Sequence, residues 1–441
     1  MKFLFYFIIL IFVNNCSFDN KSGIWKNDNN PISDKDKQLA GFKNLSITTR
    51  PFDQIINLRS NFKFQIDERV NPLSWKDIFY NQSNNYDNYD YSNLNNLTFK
   101  SKKMSSSQVS KFILYDKKNV ILTDIKGNLI IYSLKKKIIV KKFNFYKKKY
   151  KHLSKILNTI IEKNVIYVSD NLGYLYAYDY LNDKILWAKN YKIPFRSNLK
   201  IFKNKILTSN QNNSFYFFDK FSGNILDLIP TEESSVKNEF VNNLSTNNEH
   251  SLFLNTYGSL YSIDNTDMKI NWFVNLNQSL DLNPSNLFRG NQVINYKDKV
   301  VVFSNNFFYI LDANTGSILH KKNFTSVIKP IINNGYLFTI SKNDLLIALD
   351  INSGKILYSY SVKKKIADFL NSKQKSLSIK TISMINDMIF IFLNNSYILK
   401  FDIYGNVDRI TKLPTKMNTY PIFIERSIIY LNNRNKISIV N

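Results

Sequence analysis

One pattern recurs along this chain at intervals of roughly forty residues, and a period of that size restricts the architecture more than composition does. Its clearest copy runs Val165-Ile166-Tyr167-Val168-Ser169, a turn at Asn171-Leu172-Gly173, then Tyr174-Leu175-Tyr176-Ala177-Tyr178-Asp179 and, after a second turn, Lys184-Ile185-Leu186-Trp187. Short alternating runs broken by Asn and Gly specify consecutive antiparallel strands joined by tight turns. The same arrangement returns with Asp at positions 219, 264, 312, 350 and 402, while an earlier copy puts Ser133 there and the last puts Asn441. Eight such markers, spaced 38 to 52 residues apart, predict one blade per interval. The expected fold is all-β: an eight-bladed β-propeller of four-stranded antiparallel blades.

The marked residues have physical roles in such a blade. The Asp opens the turn between third and fourth strands, where its carboxylate can accept backbone N–H bonds, and the Gly four residues later supplies positive φ. Asp183 and Met268 stand where that Gly is missing, so those turns are built differently. The aromatic after the turn, Trp187, Trp272 or Tyr358, is expected to pack between blades, and His320 occupies the same place in its copy. The eighth copy lacks an outermost strand. Leu97-Thr98-Phe99-Lys100-Ser101-Lys102 has its alternation, with Phe99 in the Trp position, so this N-terminal strand should pair with the last blade and close the ring.

Upstream, Met1-Lys2 precedes an apolar run from Phe3 to Val13, long enough for a signal-peptide core and too short to span a bilayer. It ends at Val13-Asn14-Asn15-Cys16, the only Cys in the chain, so no disulfide framework can form. This arrangement resembles the lipobox of bacterial lipoproteins, with Asn15 where a small residue is usual. The resemblance implies lipidation of Cys16 and membrane attachment through that anchor, and Ser17 after the Cys points to the outer membrane. A cleaved signal with an incidental Cys is the alternative. Residues 1–15 are thus read as a signal peptide, 16–96 as a lipidated tether and irregular lead-in, and 97–441 as the propeller. Within the lead-in, 84–96 is nearly all Asn, Tyr, Asp and Ser, and Trp75 and Phe79 are candidates for docking on the blades.

The formal charge of +26 raises the question of a nucleic-acid partner. Lysines fall in scattered runs such as 135–137, 147–149 and 363–365, and no nucleic-acid-binding motif accompanies them, so none is expected. Solvated strand ends account for the runs. The three His residues, His152, His250 and His320, show no metal-ligand spacing. Neither a nucleophile elbow nor a Gly-rich phosphate loop is present. An enzyme is not expected, and neither a cofactor nor a metal.

The repeat Leu-Tyr-Ala-Tyr-Asp followed by Ile-Leu-Trp, between 175 and 187, resembles the PQQ-type repeat of quinoprotein dehydrogenases and of the BamB family. Eight copies together with a lipobox favour BamB. That resemblance implies a periplasm-facing outer-membrane scaffold that binds the POTRA domains of BamA, the central barrel subunit, and assists unfolded outer-membrane proteins. Ile193-Pro194-Phe195-Arg196 is similar to the family's apolar-x-apolar-Arg contact loop, which assigns partner binding to Ile193, Phe195 and Arg196. Exposed apolar groups beside an Arg also make a sensible hot spot. Equally, Ile193 and Phe195 can be strand residues facing the core. Glu239 matches one acidic position of the family's second contact, and Val241 stands where the other acid would be. Two alternatives remain: a quinoprotein dehydrogenase holding PQQ and calcium on the axis, and an envelope lipoprotein propeller with another partner.

Overall fold

Alternation in the repeat becomes eight four-stranded antiparallel blades, whose strands follow chain order from the axis outward in the first seven, and Asn88–Tyr89 adds a parallel fifth strand to the seventh sheet. In the computed structural model, blades 1 to 7 span 114–144, 157–190, 200–229, 243–275, 294–322, 331–361 and 379–412. Blade 8 is made of Ile422–Ile424, Ser427–Leu431, Lys436–Val440 and, as its outermost strand, Leu97–Lys103. The ring therefore closes as the alternation at Phe99 predicts, with Ile439 opposite Phe99 and the Ile437 N–H donating to Ser101 Oγ at 2.8 Å. The structure describes residues 51–233, 242–277, 292–326 and 328–441, all within a unit from Pro51 to Asn441. In a separate unit, Met1–Arg50, it describes only the paired strands Ser17–Phe18 and Trp25–Lys26.

Burial follows position in the blade. Second and third strands are covered on both faces by neighbouring blades, as in Phe308–Asp312, whereas a fourth strand such as Ile270–Asn275 alternates between exposed and half-buried. First strands of successive blades touch one another and line the axis. Pairing between third and fourth strands slips by one residue at the same place in seven blades, for instance after Ala177, Ser262 and Ile310. Such a bulge increases local twist and turns the outer strand toward the next blade.

The marker residues do what their chemistry suggests. Asp179 Oδ1 accepts from the N–H groups of Leu181 and Asn182, and Asp312 Oδ1 from those of Asn314 and Thr315. Gly223, Gly316 and Gly354 take positive φ, and where Gly is missing Asp183 and Met268 adopt φ 57° themselves. These glycines also receive the ring of the preceding blade. A Cβ on Gly223 or Gly316 would lie 2.5 Å from the ring of Trp187 or Trp272, and one on Gly354 would lie 2.3 Å from His320. Each ring is held by a backbone carbonyl: Trp187 Nε1 donates to Lys220 O at 3.0 Å and Trp272 Nε1 to Ala313 O at 2.9 Å, while His320 Nε2 meets Asn352 O at 3.0 Å. A ring clamped over a glycine is thus the latch between consecutive blades.

Residues 51–96 are irregular in backbone yet packed against the ring. Trp75 is buried among Tyr80, Tyr86, Tyr89 and Phe423, and its N–H donates to Tyr115 O. From there the segment crosses the axis at the end where first strands turn into second strands. It meets Ile160 of blade 2, Lys200 of blade 3, Leu244 of blade 4, Asn295 of blade 5, Ile332 of blade 6 and Ile385 of blade 7. Asn84 Nδ2 donates to Leu244 O and Val293 O, and the Asn85 side chain exchanges two bonds with the Ile332 backbone. Short, forked amides satisfy first-strand groups that have no strand partner on the axial side. The Asn-rich composition therefore serves as a plug.

Candidate functional site

The loop 193–196 connects the outer strand of blade 2 to the first strand of blade 3. It is wedged between two turns: the Phe195 N–H donates to Asp170 O at 2.9 Å, the Arg196 N–H to Ser209 O at 3.0 Å, and the Gln211 N–H to Pro194 O at 2.7 Å. Gly173, at φ 86°, allows this approach, since a Cβ there would lie 3.0 Å from the Ile193 backbone. Arg196 O accepts from Asn242 N–H, which ties the loop to the start of blade 4. These bonds hold the loop backbone in place on both sides.

Its side chains divide. Phe195 is 2% exposed and packs on Tyr191, Tyr216 and Phe218 in the core between blades 2 and 3. Ile193, Pro194 and Arg196 are half-buried. Phe195 thus faces the core, whereas Ile193 stays partly open to solvent. The Arg196 Nε is enclosed and has no hydrogen-bond acceptor among the described residues. Glu239 and Cys16 lie outside the described residues.

Sequence reasoning did not single out the chemistry of the axis. Lys200, fully buried, donates from Nζ to Asp77 Oδ2 at 2.6 Å and to Asn81 O at 2.7 Å. Lys329 donates to Asn84 O at 2.5 Å with Nζ 2.9 Å from the centre of the Tyr86 ring. Burial pulls both ammonium groups below the ordinary lysine range, Asp77 opposing it for Lys200. The available signal was a Lys beside apolar residues in Leu199-Lys200-Ile201-Phe202 and Ile328-Lys329-Pro330-Ile331. Beyond the plug, toward the 193–196 end, lies a cavity of about 580 Å³ floored by Ile78 and Phe79 and edged by Lys111, Asp124 and Lys155.

Comparison with known proteins bears on the whole ring. The family model described as outer membrane protein assembly factor BamB matches residues 144–360 and 257–396, together more than half of the chain. The chain belongs to the BamB family. No curated protein matches it. Among solved structures, BamB from Moraxella catarrhalis superposes with TM-score 0.60 at 12% identity, covering 77% of this chain and 99% of that one. A europium-containing methanol dehydrogenase gives 0.59 at 12% identity, covering 83% and 89%. Quinohemoprotein alcohol dehydrogenase from Comamonas testosteroni gives 0.59 at 11% identity, covering 84% and 81%. Likeness at these identities shows the PQQ-type propeller fold shared by scaffold and enzyme.

The fold also hosts quinoproteins, and for that chemistry this BamB-family ring would have to hold calcium and PQQ on its axis. Among the described residues no group of three His, Cys, Asp or Glu side chains could hold a metal. The single carboxylate at the cavity, Asp124, is engaged by Ser105 Oγ, by Asn128 Nδ2 and by the Lys126 and Asn128 N–H groups. The opposite end of the axis is filled by the plug. These residues do not fit a calcium-bound quinone.

Proposed function

We propose that this propeller is a periplasm-facing scaffold lipoprotein of the outer membrane, anchored through Cys16, that holds a BamA-like barrel subunit by its POTRA domains. In that role it assists insertion of outer-membrane proteins and turns over no substrate. Membership of the BamB family supports the reading. The observation that carries it is the fixed loop 193–196, which holds a half-buried Arg196 whose Nε has no acceptor among the described residues. A partner carboxylate or carbonyl would pair with the guanidinium. Ile193 supplies apolar contact, Phe195 sets the loop from beneath, and Glu239 in the connection before blade 4 adds an acidic contact. Unfolded clients would add strands to free outer edges such as Ile225–Ile229. Among the described residues no helix is long and apolar enough to cross a membrane, so attachment in this reading rests on the lipid.

Photo-crosslinking from position 193 in cells is expected to capture the barrel subunit, and Arg196→Glu to abolish co-purification with it. Intact co-purification in that variant would remove the loop from consideration. Labelling with radioactive palmitate should mark the wild type and spare Cys16→Ser.

A further inference from the structure

The lysine excess has no use in a loop at one end of the ring, and it is unevenly placed at the other. Strand direction puts the first and third turns of every blade at the same end, opposite the loop 193–196. In blades 1 to 3 the first turns carry Lys117-Lys118, Lys163 and Lys203, all exposed. The corresponding turns of blades 4 and 7 hold Glu249 and Asp387, and in blades 5 and 8 an acid stands beside each base, as Lys297-Asp298 and Glu425-Arg426, with Glu425 also paired to Lys118.

Third turns differ in the same direction. Blade 1 presents Lys135-Lys136-Lys137, all exposed, whereas the next two blades place apolar residues at the tip, Leu181 at 48% and Phe221 at 73% exposure. At that position blades 4, 5 and 6 have Thr266, Asn314 and Asn352, and Tyr404 of blade 7 is packed on Phe64. Hydrogen bonds make the three blades one surface. Leu134 N–H donates to Lys118 O, Tyr180 N–H to Asn164 O and Lys220 N–H to Asn204 O, tying third turns to first turns. Between blades, Lys141 pairs with Asp183 and Lys220 with Glu162, each at 2.6 Å. Lys135, Lys136, Lys137, Lys163, Lys184 and Lys203 form no ion pair within the described residues.

From this asymmetry we propose that the turn end of blades 1 to 3 docks on a bilayer rich in anionic phospholipid, lysines at the phosphates and Leu181 and Phe221 at the acyl boundary. Unpaired lysines near such a surface each gain electrostatic attraction, and apolar tips among them match the layering of headgroup over acyl chain. A nucleic acid would use the cations and could stack a base on Phe221, but it would leave Leu181 in water. Docking here leaves the loop 193–196 facing away from the membrane, and it does not depend on what that loop binds.

The test uses full-length protein with Cys16→Ser, so that no lipid holds it, sedimented with vesicles of phosphatidylcholine alone or with about a third phosphatidylglycerol. Binding to the anionic vesicles is expected to be stronger and to fall with salt. Reversing Lys135, Lys136 and Lys137 to Glu should weaken it at least about tenfold. The same reversal at Lys147, Lys148 and Lys149, at the opposite end, should leave it within about twofold, because those positions lie beyond a Debye length from the docked surface. Leu181→Ser with Phe221→Ser should weaken binding and keep its salt dependence. Equal losses in the two lysine variants, no preference for anionic vesicles, or displacement by a single-stranded oligonucleotide at the same charge concentration would overturn the proposal.

Discussion

Blades and plug solve one problem by different means. In the blades, backbone groups pair strand to strand and side chains are left free to pack, so the same short pattern works eight times. In the plug, segment 72–90 has no strand partner along most of its length; its side-chain amides reach first strands of successive blades, and Lys200 and Lys329 of the ring donate back to Asp77 and to Asn84 O. The difference teaches where tolerance lies. A blade can lose one member of a repeated set and keep its neighbours, whereas each plug contact is made once, in a site that excludes water.

The largest expected effect is therefore in the plug. Asp77→Asn leaves the Lys200 ammonium buried without its counter-charge and should cost about 3–5 kcal/mol, read as a lower urea midpoint. Adding Lys200→Met should recover most of that loss, and failure to recover it would mean that the ion pair is not the cause. Next comes a blade latch: Gly316→Val combines positive φ with a clash on the Trp272 ring and should cost about 2–3 kcal/mol. Gly335→Ala, where the added Cβ meets only an amide at 3.5 Å, should lose about 1 kcal/mol by backbone strain alone. Asn85→Ala removes both bonds to Ile332 and is expected to cost about 2 kcal/mol, more than Trp272→Phe, which loses one donor to Ala313 for about 1 kcal/mol. A smaller cost for Asn85 would erase the contrast between plug and blade.

The subtlest prediction concerns pH. Burial, with Lys111 nearby, pulls Lys380 down from 10.5 to about 8. Between those values the unfolded chain binds the extra proton, so this group's penalty is full below about 8 and fades as pH rises toward 10.5. Lys380→Met should therefore be more stable than wild type at pH 7, with the gain shrinking by pH 10 in parallel denaturant titrations.

Much of this contrast follows from what a sequence can carry. Each blade is legible because its turn chemistry is local: an Asp such as Asp312 caps a turn three residues away, and Gly316 follows at a fixed offset. The closing strand is legible for the same reason, since Phe99 repeats a position set by other copies. The plug leaves no period. Asn84 and Asn85 bind backbones some 160 to 247 residues away, and their composition is that of a solvated linker. At the candidate loop, resemblance to the family's apolar-x-apolar-Arg contact singled out the segment, and alternation left open which way Phe195 points because a rim strand and a core strand share it. That the neighbouring turn would pin the loop through Asp170 and Gly173 depends on a third blade element that spacing does not specify.

The seam between Leu97–Lys103 and Lys436–Val440 sets an order of events. A polypeptide emerging from the ribosome has made the strand at 97–103 long before the partner at 436–440 exists, the Ser101–Ile437 bond closing a separation of 336 residues. Until then the first of these strands is an open edge, and so is the flank of the seventh sheet, so the nascent molecule passes through a stage rich in unsatisfied β-edges. Release from that stage is a single late event, so its unpaired edges persist until the final strand arrives.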